Sequence, residues 1–307
     1  MIVVLAGGVG AARFLQGLVQ VVSQEQITVI VNTGDDREFY GLHVSPDIDI
    51  VMYTLAGLID EKNGWGIIND THYTMQQLTQ YGNEDWFTLG DRDLATHIHR
   101  TNLLRQGKTL AEITDELRRH LGLSLRILPM SDQIVATHIQ TPRGLIHFEE
   151  YFVKHQCADE MQGVVFIGAD AAKPAPGVLD AIKQADTILI APSNPIVSIG
   201  SILSVPGIHD ALHEASGMIV AVSPIVGGAP IKGPADKLMK GVGQEVSAVG
   251  VARCYRDFLD VMVIDERDAD LVGAIEDLGI PTIVTNTIMS DLSAKVELAQ
   301  TVLRAAS

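Results

Sequence analysis

The sequence has few cysteines and few basic residues. Its two cysteines, Cys157 and Cys254, lie far apart and form no Cys-x-x-Cys pair, which argues against a zinc ribbon or a dithiol redox centre. Lysine and arginine total 22 against 38 aspartates and glutamates, a formal net charge of −16. Nucleic acids and anionic membrane surfaces favour proteins with excess positive charge, so we expect neither as a partner. An anionic ligand would have to be bound locally, by backbone N–H groups, a few basic side chains or a metal ion.

Long apolar runs are also missing, and no secretory leader is expected. The apolar residues 2–6 have no basic residue before them, which is typical of a buried strand and not of a signal peptide. The longest stretch without a charged residue, 187–208, contains three prolines and four serines, which interrupt any membrane-spanning helix. Together with the two distant cysteines, these features predict a soluble protein of the reducing cytoplasm.

Short apolar runs alternate with helical patterns along most of the chain. Buried parallel strands are indicated at residues 2–6, 27–31, 164–168, 187–191, 218–223, 261–265 and 282–285. Helices are indicated at residues 11–22, 177–184, 268–278 and 291–305. Repeated strand–helix units require right-handed crossovers. The sequence therefore predicts an α/β fold with a Rossmann-like, doubly wound and mostly parallel sheet.

Residues 45–159 depart from this alternation. Ser45 followed by Pro46 predicts a helix start, and Thr109 with Glu112 predicts a capping box for a second helix. Residues 133–141 and 145–153 flank a Pro-Arg-Gly turn and predict a β-hairpin. We therefore expect one core built from residues 1–44 and 160–307, interrupted by a mainly helical insertion at 45–159 that carries the hairpin.

A glycine-rich loop follows the first predicted strand. Gly7, Gly8, Val9 and Gly10 stand directly before a predicted helix. Glycines let the backbone approach a phosphate closely, and a helix N-terminus supplies unpaired N–H groups. The spacing is not Gly-x-Gly-x-x-Gly, so a dinucleotide is not specifically indicated. The loop is interpreted as a phosphate site, with a plain tight turn as the alternative.

Carboxylates follow the second predicted strand and open the insertion. Asn32 and the pair Asp35 and Asp36 should lie near the glycine loop, because ligands of open α/β sheets bind at the carboxyl ends of strands. Paired carboxylates beside phosphate suit Mg²⁺; the alternative is an Asx turn with two solvated acids. Asp49 and Tyr53 occupy the polar face of the next helix, which is either solvent-facing or a pocket wall.

Two further segments carry candidate polar groups. In 89–99, Asp91 is predicted to be a helix N-cap, and Arg92 lies between two acids, an arrangement that is most often a surface ion pair. His97 and His99 diverge on a helix, so a metal site there is disfavoured. In 191–200, two prolines frame a turn that presents Ser193, Asn194 and Pro195 at a strand end. That turn suits a nucleobase, ribose or phosphate; loop rigidity is the alternative.

Taken together, these stretches resemble the CofD family, called FbiA in actinobacteria. These are phospholactate or phosphoenolpyruvate transferases of coenzyme F420 biosynthesis. The matching stretches run in order over essentially the whole chain: AGGVGAARFL, VNTGDD, SPDIDIVMYTLAG, GWG, LGDRDLATH, LPMSD, APSNPIVSIGSIL with VPGI, and VSPIVGGAPIKGPA.

The resemblance implies a Rossmann-like core with a helical insertion, usually as a homodimer, and a requirement for Mg²⁺. The implied substrates are the deazaflavin FO and a lactyl- or enolpyruvyl-diphosphoguanosine. The ribityl hydroxyl of FO attacks the phosphate that carries the three-carbon acid, and GMP leaves.

The resemblance also implies roles for residues. Gly7–Gly10 and Asn32 would bind the diphosphate. Ser193, Asn194 and Pro195 would bind the guanosine end. Asp36 and Asp49 would line the Mg²⁺ and FO site, and Arg92 would contact FO or the phosphoryl group. Asp36, Asp49 and Arg92 are thus the predicted catalytic residues.

Two other functions remain as alternatives. The YvcK-like branch shares the glycine loop and resembles nucleotide-sugar-binding regulators without transferase activity; the stretches SPDID and LGDRDLATH favour the enzyme over it. An NAD-dependent oxidoreductase is disfavoured by the glycine spacing and by Asn32, which stands where a ribose-binding acid is expected. Short segments such as GLHVSPDIDIVMYTLAG resemble the bacterial members of the family more than the archaeal ones. This resemblance favours the phosphoenolpyruvate donor.

Overall fold

A seven-stranded parallel sheet forms the centre of the protein, whose computed structural model describes residues 1–306. The strands of the protein are β1 (Ile2–Ala6), β2 (Ile27–Val31), β3 (Arg37–Phe39), β4 (Leu42–Val44), β5 (Arg126–Pro129), β6 (Ala136–Thr141), β7 (Gly144–His147), β8 (Gly163–Ile167), β9 (Thr187–Ile190), β10 (Met218–Val222), β11 (Ile225–Val226), β12 (Ala229–Pro230), β13 (Val261–Asp265) and β14 (Thr282–Thr285). The central sheet has the order β14-β13-β10-β9-β1-β2-β5, and all of its pairings are parallel.

Helices cover both faces of this sheet. They are α1 (Gly8–Val21), α2 (Pro46–Leu55), α3 (Tyr73–Gln80), α4 (Asp91–Arg105), α5 (Leu110–His120), α6 (Val178–Gln184), α7 (Gly200–Ser204), α8 (Ile208–His213), α9 (Ala235–Gly241), α10 (Ala248–Tyr255), α11 (Val272–Glu276) and α12 (Leu292–Ala305). Within residues 1–306, no helix is long and apolar enough to cross a membrane.

Successive side chains of each strand enter opposite layers of the core. Val3 and Leu5 of β1 pack into the layer that contains α6, α8 and α10, whereas Val4 and Ala6 pack into the layer of α1, α2 and α12. This alternation is the period of two that a pleated strand imposes. Burial on both faces explains why the strands are continuously apolar, and the predicted doubly wound α/β fold is confirmed.

One strand prediction is wrong, and one strand of the central sheet was missed. Six of the seven predicted parallel strands are in the central sheet, but residues 164–168 belong to β8, which pairs antiparallel with β6 in a separate sheet of order β7-β6-β8. Val165 and Ile167 of β8 are 38% and 44% exposed, and a short apolar run does not reveal which sheet it joins. The missed strand is β5, a four-residue edge strand that ends in Pro129.

The predicted insertion contributes to the core. β5 lies within residues 45–159, yet it pairs with β2 in the central sheet. Ile48, Val51 and Met52 of α2 are fully buried in the same layer as α1. The predicted hairpin is formed by β6 and β7, which pair antiparallel. The division of the chain at residues 44/45 and 159/160 stays a prediction.

Helix starts follow the predicted capping chemistry only in part. The capping box is present: Thr109 accepts from the N–H of Glu112, whose side chain accepts from the N–H of Thr109. Ser45 occupies the N-cap position of α2, but its hydroxyl donates to Asp36 instead of capping the helix. The predicted helix start at Ser45 and Pro46 is therefore confirmed, although a buried carboxylate takes the Ser45 hydroxyl.

The prediction that Asp91 is the N-cap of α4 is wrong. Gly90 is the N-cap of α4, and the carboxylate that accepts from the first N–H groups of α4 is that of Asp70. Asp91 instead accepts from the N–H groups of Tyr73 and Thr74, at the start of α3. The two helices thus exchange capping carboxylates, and sequence spacing cannot reveal such an exchange.

Close backbone packing of α1 against α12 generates a stability prediction. A Cβ on Gly17 would lie 2.2 Å from the carbonyl oxygen of Lys295. Because that contact is with backbone, Gly17→Ala must push the helices apart, and we expect it to lower the free energy of unfolding by about 1–3 kcal/mol. Urea unfolding followed by circular dichroism measures the change.

Gly273→Ala is the matched control. A Cβ at Gly273, within α11, meets no atom within 4 Å. Its free energy of unfolding should stay unchanged or rise by up to about 1 kcal/mol. Equal midpoints for Gly17→Ala and the wild type would contradict the close-packing argument.

Candidate functional site

A cleft of about 690 Å³ opens at the carboxyl ends of the central strands. This is the position at which open α/β sheets bind their ligands. The core segments that line the cleft follow β1, β2, β9, β10 and β14. Segments of the insertion line its other side. The lining segments are 7–10, 46–53, 86–89, 148–153, 192–194, 231–235 and 287–290, with several single residues between them.

The predicted glycine loop forms one end of the cleft. Gly8 has a φ of +71°, and a Cβ on Gly10 would lie 2.2 Å from the carbonyl oxygen of Pro192. A Cβ on Gly7 would lie 2.6 Å from Cβ of Ser198. The loop is therefore glycine-rich because the neighbouring loop leaves no room for side chains.

The N-terminus of α1 begins at this loop, and the carboxylate of Asp47 accepts a hydrogen bond from the N–H of Gly8. Gly7 is the N-cap residue, and the first turn contains no acidic residue. Its positive dipole end faces a cleft lined by Gly7–Gly10. This arrangement suits a phosphate group.

The predicted loop after β9 lies beside the glycine loop. Ser193 accepts a hydrogen bond from the N–H of Gly7 at 3.2 Å, and both Ser193 and Asn194 line the cleft. Asn194 Oδ1 accepts from the N–H of Ile196 and caps a π-helical turn (Pro195–Ile199). Its amide NH₂ has no protein acceptor within residues 1–306 and remains available to a ligand. Pro195 is buried behind the surface of the cleft.

Asn32 organises two carboxylates at the same end of the cleft. It is fully buried, and its Nδ2 donates to Asp35 at 3.1 Å and to Asp47 at 2.9 Å. Asp35 and Asp47 line the cleft, whereas Asn32 lies behind them. Oδ1 of Asp35 is buried and has no hydrogen-bond partner within residues 1–306. Asn32 thus holds two acids at the glycine loop instead of facing the cleft itself.

These acids and Glu149 form a buried anionic cluster. Burial raises the pKa of Asp47 to about 7 and the pKa of Glu149 to about 8, and the charge of Asp47 adds to the shift of Glu149. Burial, followed by the charges of Asp47 and Glu149, also raises the pKa of Asp35. A bound cation would favour the ionised forms that burial disfavours.

Asp49, predicted as a metal and catalytic residue, lies in the cleft wall with both carboxylate oxygens engaged. Arg100, itself fully buried, donates from Nη1 to Oδ2 at 3.0 Å and from Nη2 to Oδ1. The ring of His97 packs against the same guanidinium. Asp49 and Tyr53 both line the cleft, so the polar face of α2 is a pocket wall. Removing one partner of such a buried pair typically costs about 3–5 kcal/mol.

Asp36, the other predicted metal ligand, is partnered as well. Ser45 Oγ lies 2.7 Å from both of its oxygens, and His43 Nε2 lies 3.0 Å from one of them. Burial raises the pKa of Asp36, and the bond to His43 opposes that shift. Asp36 does not line the cleft. Among residues 1–306, no group of three or more His, Cys, Asp or Glu side chains is arranged to hold a metal ion.

Arg92 is not brought to the cleft. Its side chain is exposed, and Nη1 donates to the carbonyl oxygen of Ile68 at 3.0 Å. His99 on the same face is also exposed and contacts Glu116. The residues of α4 that do line the cleft are Asp93 and His97, of which His97 was disfavoured as a metal ligand from the sequence. Any contact between Arg92 and substrate stays a prediction.

An aromatic wall was missed by the sequence argument. Six of the fifteen aromatic residues line the cleft: Tyr53, Trp65, Trp86, Phe87, Phe148 and Phe152. Trp86 is fixed by a bond from its Nε1 to Glu84 and by the cations of Arg37 and Lys154, each 5.6 Å from its ring centroid. These residues are scattered over residues 53–152, so no local motif identifies the wall.

Three charged residues of the cleft were also missed: Arg13, Glu149 and Lys232. Glu149 follows the hairpin, Arg13 stands one turn into α1, and Lys232 lies in a loop before α9. Each is an isolated charge in sequence. Arg13 does lie on the same helical face as Val9, four residues earlier, and that spacing could have identified it.

The chain matches one family model and has similar relatives. The model described as 2-phospho-L-lactate transferase CofD matches residues 2–279. A phosphoenolpyruvate transferase of Kitasatospora aureofaciens is 47% identical, over 98% of this chain and 96% of the relative. A 2-phospho-L-lactate transferase of Methanosarcina mazei is 43% identical, over 99% of both chains.

Solved structures also share this architecture. A crystal structure of a UPF0052 family member from Bacillus halodurans superposes with a TM-score of 0.67, at 19% identity, and covers 98% of each chain. At that identity the likeness concerns the fold alone.

The buried anionic cluster generates a pH prediction. Because the pKa of Glu149 is raised when the chain is folded, the native state binds more protons than the unfolded state between about pH 4.5 and 8. The free energy of unfolding should therefore fall as pH rises through this range. In Glu149→Gln the fall between pH 5 and 8.5 should be smaller, by on the order of a few kcal/mol.

Thermal or urea unfolding at the two pH values measures this difference. Glu160→Gln, which removes an exposed glutamate, is the control and should behave as the wild type does. An equal fall in stability for Glu149→Gln and the wild type would rule out Glu149 as a source of the pH dependence.

Proposed function

Since the chain belongs to the CofD family of 2-phospho-L-lactate transferases, we propose that it moves a phosphorylated three-carbon acid from a guanosine diphosphate diester to the ribityl hydroxyl of FO. The chain is a transferase of this family, and the product belongs to coenzyme F420 biosynthesis. The observation that carries the substrate assignment is one cleft that joins the glycine loop at a helix N-terminus to an aromatic wall.

The chemistry is a substitution at phosphorus. The hydroxyl oxygen of FO forms a bond to the phosphorus that carries the three-carbon acid. The bond from this phosphorus to the oxygen of GMP breaks, and its electron pair leaves with GMP. The hydroxyl proton is released, one per turnover. The enzyme contributes mainly positioning and electrostatic stabilisation.

The glycine loop is proposed to bind the diphosphate of the donor. Gly7–Gly10 present backbone to the cleft, and the N-terminus of α1 favours negative charge. Ser193 and the free amide of Asn194 are proposed to contact the guanosine end, with Pro195 fixing their turn. Asn32 acts indirectly, through Asp35 and Asp47.

The aromatic wall is proposed to bind the ring system of FO. Trp86, Phe87, Phe148 and Phe152 offer flat apolar surface on the insertion side of the cleft. Asp49 stands in the same wall beside Tyr53 and is proposed to border the ribityl chain. Because Arg100 occupies both of its oxygens, Asp49 is suited to accept a hydrogen bond and not to take up a proton.

We place the Mg²⁺ ion at Asp35 and Asp47 and not at Asp36 and Asp49. Asp35 and Asp47 line the cleft beside the glycine loop, and Asp35 has a buried oxygen without a partner. Mg²⁺ is usually bound by one or two carboxylates together with substrate phosphates, so two carboxylates that line the cleft at a proposed phosphate site fit it. When bound, it would neutralise charge on the phosphate oxygens.

The enolpyruvyl donor is proposed as the natural one. The bacterial relative at 47% identity is named for phosphoenolpyruvate, and the archaeal one at 43% is named for 2-phospho-L-lactate. A nucleotide-sugar-binding regulator, the alternative from sequence, is not favoured, because the match to the transferase family spans residues 2–279. The homodimer and the cytoplasmic location stay predictions.

Turnover tests the substrate assignment. With Mg²⁺, FO and an enolpyruvyl-diphosphoguanosine donor, the purified protein should release GMP and form dehydro-F420-0, detected by mass spectrometry. Lactyl and glyceryl donors in competition test donor choice, and the enolpyruvyl product should dominate. Absence of product with all three donors would overturn the assignment.

Stabilisation by Mg²⁺ tests the metal assignment without turnover. At pH 8, millimolar MgCl₂ should raise the melting temperature of the wild type, since a ligand that binds only the native state stabilises it. Asp35→Asn and Asp47→Asn should lose this rise. Asp170→Asn, an exposed control, should keep it, as judged against NaCl of equal ionic strength.

The alternative pair of carboxylates gives a distinct result. Loss of the Mg²⁺ effect in Asp36→Asn and Asp49→Asn, but not in Asp35→Asn and Asp47→Asn, would return the metal to the residues implied by the family resemblance.

A further inference from the structure

Charges of both signs line the cleft. Three of its acidic residues, Asp35, Asp47 and Glu149, form one cluster, and two cations, Arg13 and Lys232, line the cleft with no carboxylate partner within residues 1–306. These are the lysine and arginine residues that line the cleft, and neither has a protein counter-charge among the described residues, although the chain has a net charge of −16. An anionic group of a ligand would balance these two positive charges.

Arg13 stands directly behind the glycine loop. It lies one helical turn after Val9 on α1, and residues four apart share one face of a helix. Its guanidinium forms no ion pair or hydrogen bond with any described residue. Arg13 therefore adds a full positive charge to the helix end that already favours anions.

Lys232 reaches the same place from another loop. Its Nζ donates to the carbonyl oxygen of Asn63 at 2.5 Å. A Cβ on Gly64 would lie 2.6 Å from this Nζ and 3.2 Å from Cγ1 of Val9, so the ammonium group stands next to the glycine loop. Burial and the nearby charge of Arg13 lower the pKa of Lys232. Two like charges held close together, without a counter-ion, favour a multiply charged anion between them.

We propose that Arg13 and Lys232 form an anion clamp for the diphosphate of the donor. The clamp acts together with the N–H groups of the glycine loop. It rests on the proposed function, to which it adds the side chains that select a diphosphate over an uncharged group. Guanidinium and ammonium groups both form charge-assisted hydrogen bonds to phosphate oxygens.

GDP is the probe for this clamp, because it carries the diphosphate but no three-carbon acid. Arg13→Gln and Lys232→Gln should each raise the Kd for GDP by about tenfold to a hundredfold, as titration calorimetry would measure. Guanosine, which lacks phosphate, should bind both variants as it binds the wild type. Arg13→Lys, which keeps the charge, should recover part of the GDP affinity.

Two matched variants control for charge. Arg256→Gln and Lys240→Gln each remove an exposed cation outside the cleft and should leave the Kd for GDP unchanged. Circular dichroism and the melting temperature show whether the clamp variants are folded. The affinity of the wild type for GDP should fall with added salt more steeply than that of either clamp variant.

Three outcomes separate the possibilities. An unchanged Kd for GDP in both clamp variants would overturn the clamp. Unchanged GDP binding with a raised KM for the donor would also overturn it and would assign these cations to the carboxylate of the three-carbon acid. A wild type that binds GDP through both cations but forms no product would overturn the proposed transfer and leave the clamp standing.

Discussion

The hydrogen bonds of the Asn32 amide connect the parts on which the cleft depends. From the end of β2, this one side chain donates to Asp35 in its own loop and to Asp47 at the start of α2. Its carbonyl accepts from the N–H of Gly34 at 2.7 Å, so the amide is fixed from both sides. The end of β2, the loop that follows it and the first helix of the insertion are thereby held together. Without the amide, two buried carboxylates would lose their shared donor, which is costly in a low-dielectric interior.

The electrostatic organisation of the cleft follows from this arrangement. Asp49 lines the cleft but is already paired with Arg100, and Asp36 lies behind the cleft surface. Asp35, Asp47 and Glu149 form no ion pair within residues 1–306 and line the ligand space together with Arg13 and Lys232. A fully buried Arg100 fixes Asp49 at the cost of removing both charges from water. Excess negative charge is therefore compatible with a diphosphate ligand, because the acids are either neutralised in place or available to a cation.

Core and insertion contribute different halves of the cleft. The core supplies loops at the ends of parallel strands, which suit phosphate, and the insertion supplies the aromatic wall. The scarcity of aromatic residues noted in the composition becomes informative only in this light, since both tryptophans lie in that wall. Cations stacked against Trp86 and the bond to Glu84 hold its ring in one orientation.

Local patterning and contiguous motifs were enough to predict four features from the sequence. These are the doubly wound fold, the glycine loop, the Ser193–Asn194 turn and the family. Tertiary structure alone decided that β8 leaves the central sheet and β5 enters it, that Asp70 and Asp91 exchange helix caps, and that Arg92 lies outside the cleft whereas His97 lies within it. The tertiary structure also decides which carboxylates line the cleft. The physical reason is that pairing and burial depend on distances between residues far apart in the chain, such as Asp49 and Arg100, and periodicity along the chain carries no information about those distances.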